Sequence, residues 1–185
     1  TYYFAVRAKD EVNNEGSISN SPSATSAATG PAAGVIVYGE GTYQEPRYMN
    51  WTGSGWQGEL PGPDGSASTG VINWVITRSC PVVRNEKMAG ILYSDGTLSV
   101  QRWNGSVWAQ EFSTTGIGAT NSIYRGFDIA YEQNTGRCMV VYSTGGATNE
   151  IAYRVWNGSS WVIGETNVEL GTTGIIRWIR AESKR

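Results

Sequence analysis

Trp103-Asn104-Gly105-Ser106-Val107-Trp108 is one of three copies of a short motif in this chain. In chain order the first copy begins at Trp51, with threonine in place of the asparagine, and the third begins at Trp156. The leading tryptophans stand at 51, 103 and 156, so the motif returns after 52 and then 53 residues. A fixed period of this size is typical of a repeat protein. The sequence therefore predicts successive copies of one structural unit.

Each copy of the motif is expected to form the turn of a β-hairpin. Asn-Gly favours a tight two-residue turn, because both central residues of that turn must accept a positive φ. The residues before the third turn alternate in character, with Ile151, Tyr153 and Val155 on one face of the chain. This alternation predicts a half-buried strand leading into the turn.

The tryptophans admit two interpretations. Recurring aromatic residues usually form the core of a repeat, where they bury a large apolar area. The alternative is that exposed indole rings form platforms on which sugars stack. We favour the structural role and keep ligand stacking as the alternative. The residues concerned are Trp51, Trp56, Trp74, Trp103, Trp108, Trp156, Trp161 and Trp178.

The rest of each repeat supplies three further strands. An apolar strand ending in tyrosine precedes the motif at 35–38, 90–93 and 139–142, and a short strand follows it. A fourth strand, with a central aromatic residue, opens the later repeats at 72–76, 125–130 and 176–181. Four antiparallel strands in roughly 52 residues are typical of a β-propeller blade.

The repeats resemble the tandem β-propeller-like blades of large secreted bacterial proteins over most of residues 34–185. Their turns are also similar to the Asp-box of sialidases, but they lack its aspartate, so the resemblance implies the geometry without the enzyme. The resemblance to blades of secreted bacterial proteins further implies an extracellular or bacterial cell-surface location. We expect residues 31–185 to form an all-β, antiparallel domain of about three four-stranded blades, which is a partial β-propeller.

Residues 1–30 differ from the repeats. Tyr2, Phe4 and Val6 alternate with Tyr3 and Ala5, and a polar turn and a weaker strand follow. This pattern resembles the last two strands of a fibronectin type III domain, in which Tyr2 would be the tyrosine-corner residue. We expect residues 1–30 to form this hairpin with its linker. The first residues show no leader segment, so we expect a mature chain or a fragment.

The composition argues against several functional classes. The chain has no histidine, which removes Ser-His-Asp catalysis and histidine metal sites. Its net charge is −2 and its 14 basic residues are scattered, so we expect no nucleic-acid partner. No apolar run approaches the length of a membrane span, so we expect no membrane insertion. We predict that the chain is not an enzyme and needs neither cofactor nor metal.

Few residues are candidates for chemistry. A glycosidase would need two carboxyl groups held close together. Candidates, only because they lie near strand ends, are Glu40, Glu111, Asp128 and Glu132. No spacing singles them out, so we expect solvated acids at turns. The pair Cys80 and Cys138 could form a disulfide, or could remain two buried thiols, and the sequence leaves both alternatives open.

The strand count suggests a function. The first repeat lacks its opening strand, while 174–181 is an opening strand without the other three strands of its repeat. Open strand edges pair readily with other chains, so 174–181 could complete the first repeat of another copy. We therefore expect a secreted or surface structural or adhesion protein, which is either cut from a longer propeller or a subunit whose copies exchange strands, up to a filament. The alternative is a carbohydrate-binding module that binds polysaccharide on exposed Trp and Tyr.

Overall fold

The computed structural model describes residues 34–39, 44–62, 70–118, 123–171 and 174–183. Within these ranges the chain forms eleven β-strands and no helix. All strand pairs are antiparallel, so the predicted all-β class with antiparallel sheets is confirmed. No described segment is a helix long and apolar enough to cross a membrane. The predicted fibronectin-like hairpin at 1–30 lies outside the described residues.

The strands form three consecutive sheets, each ordered along the chain. The first sheet contains β1 (Gly34–Tyr38), β2 (Arg47–Trp51) and β3 (Leu60–Pro61). The second contains β4 (Ile72–Ser79), β5 (Lys87–Tyr93), β6 (Leu98–Trp103) and β7 (Trp108–Thr114). The third contains β8 (Phe127–Tyr131), β9 (Cys138–Ser143), β10 (Ile151–Trp156) and β11 (Trp161–Val168).

The same register recurs in all three sheets. The leading tryptophan of the motif pairs with the first residue of the preceding strand, as Gly34 with Trp51, Lys87 with Trp103 and Cys138 with Trp156. The last strands of the second and third sheets are longer than predicted, because β7 and β11 pair along most of β6 and β10.

Two strand predictions change in the structure. The opening strand of the third sheet begins at Phe127, two residues later than predicted. The segment 176–181 was predicted as a strand, but it forms only an isolated parallel bridge between Trp178 and Arg125. The segment therefore lies beside β8 but is not a strand of any sheet in the described chain.

The core lies mainly between the second and third sheets. It combines large side chains from the inner strands of both sheets, and Trp74, Phe112, Tyr124 and Trp161 pack against it partly buried. Its fully buried members include Met88, Leu92, Leu98, Val100, Phe127, Ile129 and Val140. Nearly continuous burial along β5 explains why this strand reads as an apolar run and not as strict alternation.

Candidate functional site

The tryptophan-flanked turns share one geometry, and it is not the predicted two-residue turn. Gly53, Gly105 and Gly158 have φ values of 96°, 104° and 101°. Asn104 and Asn157 have no positive φ, which a tight Asn-Gly turn would require. The two-residue interpretation is therefore wrong, and four residues separate the paired tryptophans.

The side chain after the leading tryptophan closes each turn. Oδ1 of Asn157 accepts hydrogen bonds from the backbone N–H groups of Ser159 and Ser160, both at 2.9 Å. Oδ1 of Asn104 accepts the equivalent pair at 2.9 Å and 3.0 Å. In the first copy, Oγ1 of Thr52 accepts longer bonds of 3.4 Å and 3.2 Å. The asparagine therefore stabilises the turn through its side-chain oxygen, which accepts these hydrogen bonds, and not through a positive φ.

Each turn also brings its two tryptophan rings together. The ring centroids of Trp51 and Trp56 lie 5.3 Å apart, and those of the other two pairs lie 5.5 Å apart. The interplanar angles are 59°, 55° and 62°. Tilted contacts at this distance suit the charge distribution of aromatic rings. We call each pair with its turn a tryptophan corner.

Two tryptophan corners pack against the preceding sheet. The ring of Tyr48 on β2 lies 5.8 Å from Trp103 and 6.2 Å from Trp108. The ring of Phe112 on β7 lies 5.1 Å from Trp161, edge to face. Aromatic side chains therefore join the first sheet to the second, and the second sheet to the third.

Polar groups reinforce the junction between the second and third sheets. The guanidinium of Arg102 lies 4.9 Å above the ring of Trp156, and its Nε donates to Glu111 at 2.6 Å. The other oxygen of Glu111 accepts a bond from Nε1 of Trp161 at 3.3 Å. Glu111 was predicted to be a solvated turn acid, and this is wrong because it bonds to groups on both sheets.

The tryptophans differ sharply in exposure. Trp156 is 4% exposed, since it lies between Arg102 and Trp161. Trp56 is 48% exposed and Trp178 is 57% exposed. The ring of Trp178 contacts that of Trp74 edge to face at 5.9 Å. Of these tryptophans, Trp56 and Trp178 present the most accessible ring surface.

A cleft of about 550 Å³ opens beside β4 and β8. The end of β4, the length of β8 and the segment 180–183 line it. Three arginines contribute to its wall, namely Arg78, Arg125 and Arg180. Sequence analysis did not single them out. Arg78 lies outside the segment 72–76, and the three arginines stand at different distances from the central aromatic residues, so no recurrence marks them.

Asp128 is the buried acid of this cleft, at 1% exposure. Its Oδ1 accepts the N–H of Ile129 at 2.8 Å, and its Oδ2 accepts the N–H of Ala181 at 3.0 Å. Nη2 of Arg78 and of Arg125 lie 3.5 Å and 3.6 Å from these two oxygens. A buried carboxylate requires such compensation. The prediction of a solvated acid is therefore wrong for Asp128.

The remaining predicted acids have other positions. Glu132 is a turn acid as predicted, because it accepts bonds from the backbone N–H groups of Asn134 and Thr135 at 3.1 Å and 2.8 Å. The hydrogen bond from the Thr135 hydroxyl, followed by these two backbone bonds, lowers the pKa of Glu132. Glu40 lies outside the described residues.

The cysteines belong to one buried cluster. Cys80 and Cys138 are both free thiols, and both lie in the core between the second and third sheets. Burial, followed by the charge of Glu86, raises the pKa of the Cys138 thiol. Glu86 is itself buried and accepts a bond from the Tyr131 hydroxyl at 3.1 Å. The disulfide remains a prediction.

A second polar network lies on the outer part of the third sheet. The hydroxyl of Tyr142 donates to Glu165, and Nη2 of Arg154 donates to the same carboxylate at 3.2 Å. Burial raises the pKa of Tyr142 to about 12. The hydrogen bond from Tyr142 lowers the pKa of Glu165.

Comparison with known proteins adds no family assignment. A scan against protein-family models finds no match for this chain, and a search of curated proteins finds none either. Among the residues that the structure describes, no group of three or more potential metal ligands is close enough to hold an ion. Function is therefore inferred from the tryptophan corners, the strand edges and the cleft.

Proposed function

We propose that the chain is a structural or adhesive module of a secreted or cell-surface protein, built from propeller-like blades whose strands are exchanged between copies. The supporting observation is the position of β1. Its counterparts β5 and β9 lie inside their sheets, each paired with an aromatic-centred strand, β4 or β8. β1 is the edge of its sheet, and no described strand pairs with that edge.

The segment 174–183 supplies a matching donor. It carries Trp178 at the place where β4 carries Trp74 and β8 carries Phe127. Its described backbone–backbone bonds are few: the N–H of Ile179 donates at 3.1 Å to the carbonyl of Arg125, two residues before β8. Because strand edges readily accept extended chains, repeated exchange between copies gives an open filament unless the rotation closes it.

The tryptophan corners support a structural role. They join neighbouring sheets through Tyr48, Phe112 and Arg102. Two of the acids considered for catalysis, Glu111 and Asp128, are engaged in ion pairs with arginine. These contacts favour a scaffold over an enzyme.

The mass of the full chain across a concentration series tests this proposal, with light scattering for the mass and electron microscopy for the shape. We expect the mass to rise with concentration. Trp178→Asp should abolish the rise, because a charge replaces the aromatic of the donor strand. Leu170→Asp is the matched control, since Leu170 is exposed and outside the segment. A free peptide of residues 174–181 should compete with assembly. A monomer mass at all concentrations would contradict strand exchange.

Carbohydrate binding is the second candidate function. The exposure of Trp56 and Trp178 favours it, because exposed indole faces are suited to stacking on sugar rings. Tryptophan fluorescence during titration with polysaccharides tests the idea. A spectral shift that is lost in both Trp56→Ala and Trp178→Ala supports stacking, and an unchanged spectrum with every polysaccharide removes the support.

A further inference from the structure

The cleft beside β8 has the features of a prepared anion site. Nε of Arg78 donates to the carbonyl of Ile129 at 3.3 Å, while Nη2 faces Asp128. These two contacts hold the guanidinium in place, yet the side chain of Arg78 is 47% exposed. A guanidinium that is already positioned loses little freedom when a ligand binds. Its remaining N–H groups are therefore suited to an acceptor in the cleft.

The charges of the lining favour an anion. Arg78, Arg125 and Arg180 carry three positive charges, and Asp128 and Glu182 carry two negative charges. Both oxygens of Asp128 already accept a backbone N–H and face an arginine. Nε of Arg125 is buried and has no hydrogen-bond partner among the described residues. The cleft thus has more donor capacity than its own carboxylates use.

The other lining groups narrow the class of ligand. Ser79, Gln133 and Ser183 supply hydroxyl and amide groups, which suit the ring hydroxyls of a sugar. The volume of about 550 Å³ lies in the range of small-molecule sites. Carboxylates, like phosphates, are anions that a planar guanidinium binds with two parallel hydrogen bonds.

We propose that this cleft binds a uronic acid residue of an acidic saccharide, with the carboxylate held by Arg78 and Arg180. The inference rests on carbohydrate binding, the second candidate function, and moves it from the exposed tryptophans to the arginine cleft. It concerns the chain in which the segment 180–183 lies beside β8, since exchange of that segment would remove Arg180 from the cleft. The fluorescence titration with the Trp56 and Trp178 variants tests the ring surfaces, whereas substitution of the arginines tests the cleft. A negative result for sugar stacking on Trp56 and Trp178 can therefore be distinguished from a negative result for binding in the cleft.

Isothermal titration calorimetry of the full chain tests the site, with sodium trigalacturonate as the probe. Two matched probes accompany it: the methyl-esterified trigalacturonate, which keeps the sugar and loses the charge, and triglutamate, which keeps the charge and loses the sugar. We expect the acid to bind and both matched probes to bind about tenfold or more weakly. Equal binding of triglutamate would show that charge alone is recognised and would overturn the saccharide assignment.

Variants locate the site. Arg78→Gln should weaken trigalacturonate binding by about tenfold, because it removes a charge-assisted contact. Arg180→Gln should act in the same direction and is safe for folding, since Arg180 is highly exposed and pairs only with Glu182 within the described chain. Arg84→Gln, an exposed arginine outside the cleft, should bind like the wild type. No detectable binding at about 10 mM, or equal binding by Arg180→Gln and the wild type, would overturn the proposal.

Discussion

The ring of Phe127 lies directly against the backbone of Gly90. A Cβ atom built on Gly90 would stand 2.5 Å from Cε2 of that ring. Gly90 lies in the middle of β5 and Phe127 opens β8, so this is a point where the second and third sheets meet. The absence of a side chain at residue 90 allows β5 and β8 to approach closely.

Gly90→Ala should therefore destabilise the chain. The added methyl group must displace a fully buried ring, and such overpacking typically costs about 1–3 kcal/mol. Urea denaturation measures the free energy of unfolding. Gly55→Ala is the matched control, since a Cβ at Gly55 meets nothing within 4 Å, and its stability should stay within about 0.5 kcal/mol of the wild type. Equal stability of the two variants would show that the contact is not tight.

The tryptophan corners should contribute unequally to stability. Trp156 is packed between Arg102 and Trp161, so Trp156→Ala should lower the free energy of unfolding by about 3–5 kcal/mol. Trp56 is half exposed, and Trp56→Ala should cost about 1 kcal/mol. The urea midpoints of both variants make the comparison. A larger loss for Trp56→Ala would contradict the sheet-joining role of the third corner.

Acid should weaken the third sheet through Glu165. The hydrogen bond from Tyr142 lowers the pKa of this carboxyl in the folded chain below its ordinary value of 4.5. The bond therefore stabilises the fold above about pH 4.5, and this contribution is lost as the pH falls through the lowered pKa. Glu165→Gln should lose less stability than the wild type between about pH 6 and about pH 3. Parallel pH profiles for the two proteins would contradict this linkage.

The two thiols should react only when the chain opens. Cys80 and Cys138 are buried, and burial raises the pKa of Cys138, so little thiolate is available to attack a reagent. Reaction with a chromogenic disulfide should be slow in buffer and should yield two thiols per chain in denaturant. A yield of no thiols in denaturant under non-reducing conditions would establish the alternative disulfide. Rapid labelling in buffer would contradict the burial of the thiols.

The antiparallel sheets could be predicted from the sequence because the tryptophan motif recurs at a regular spacing. The tryptophans at 51, 103 and 156 lie in one register because each repeat pairs its strands in the same way. The turn type was predicted wrongly, since Asn-Gly suits both a tight turn and a longer turn closed by the asparagine side chain.

The arginine cleft could not be predicted in the same way. Asp128 lies 50 residues after Arg78 and 53 residues before Ala181, and only the packing of β4, β8 and the segment 180–183 brings them together. A sequence pattern reports the face and the period of a strand, but it does not report which strands lie beside one another. The contact of Phe127 with Gly90 was missed for the same reason.

Sheet stacking through the tryptophan corners is the central claim, and a double-mutant cycle between Phe112 and Trp161 tests it most directly. The two rings come from different sheets and lie 5.1 Å apart. We expect Phe112→Leu and Trp161→Leu to be coupled by about 0.5–1.5 kcal/mol in the free energy of unfolding. Additive losses, within about 0.3 kcal/mol, would show that the rings do not touch in solution and would contradict the account.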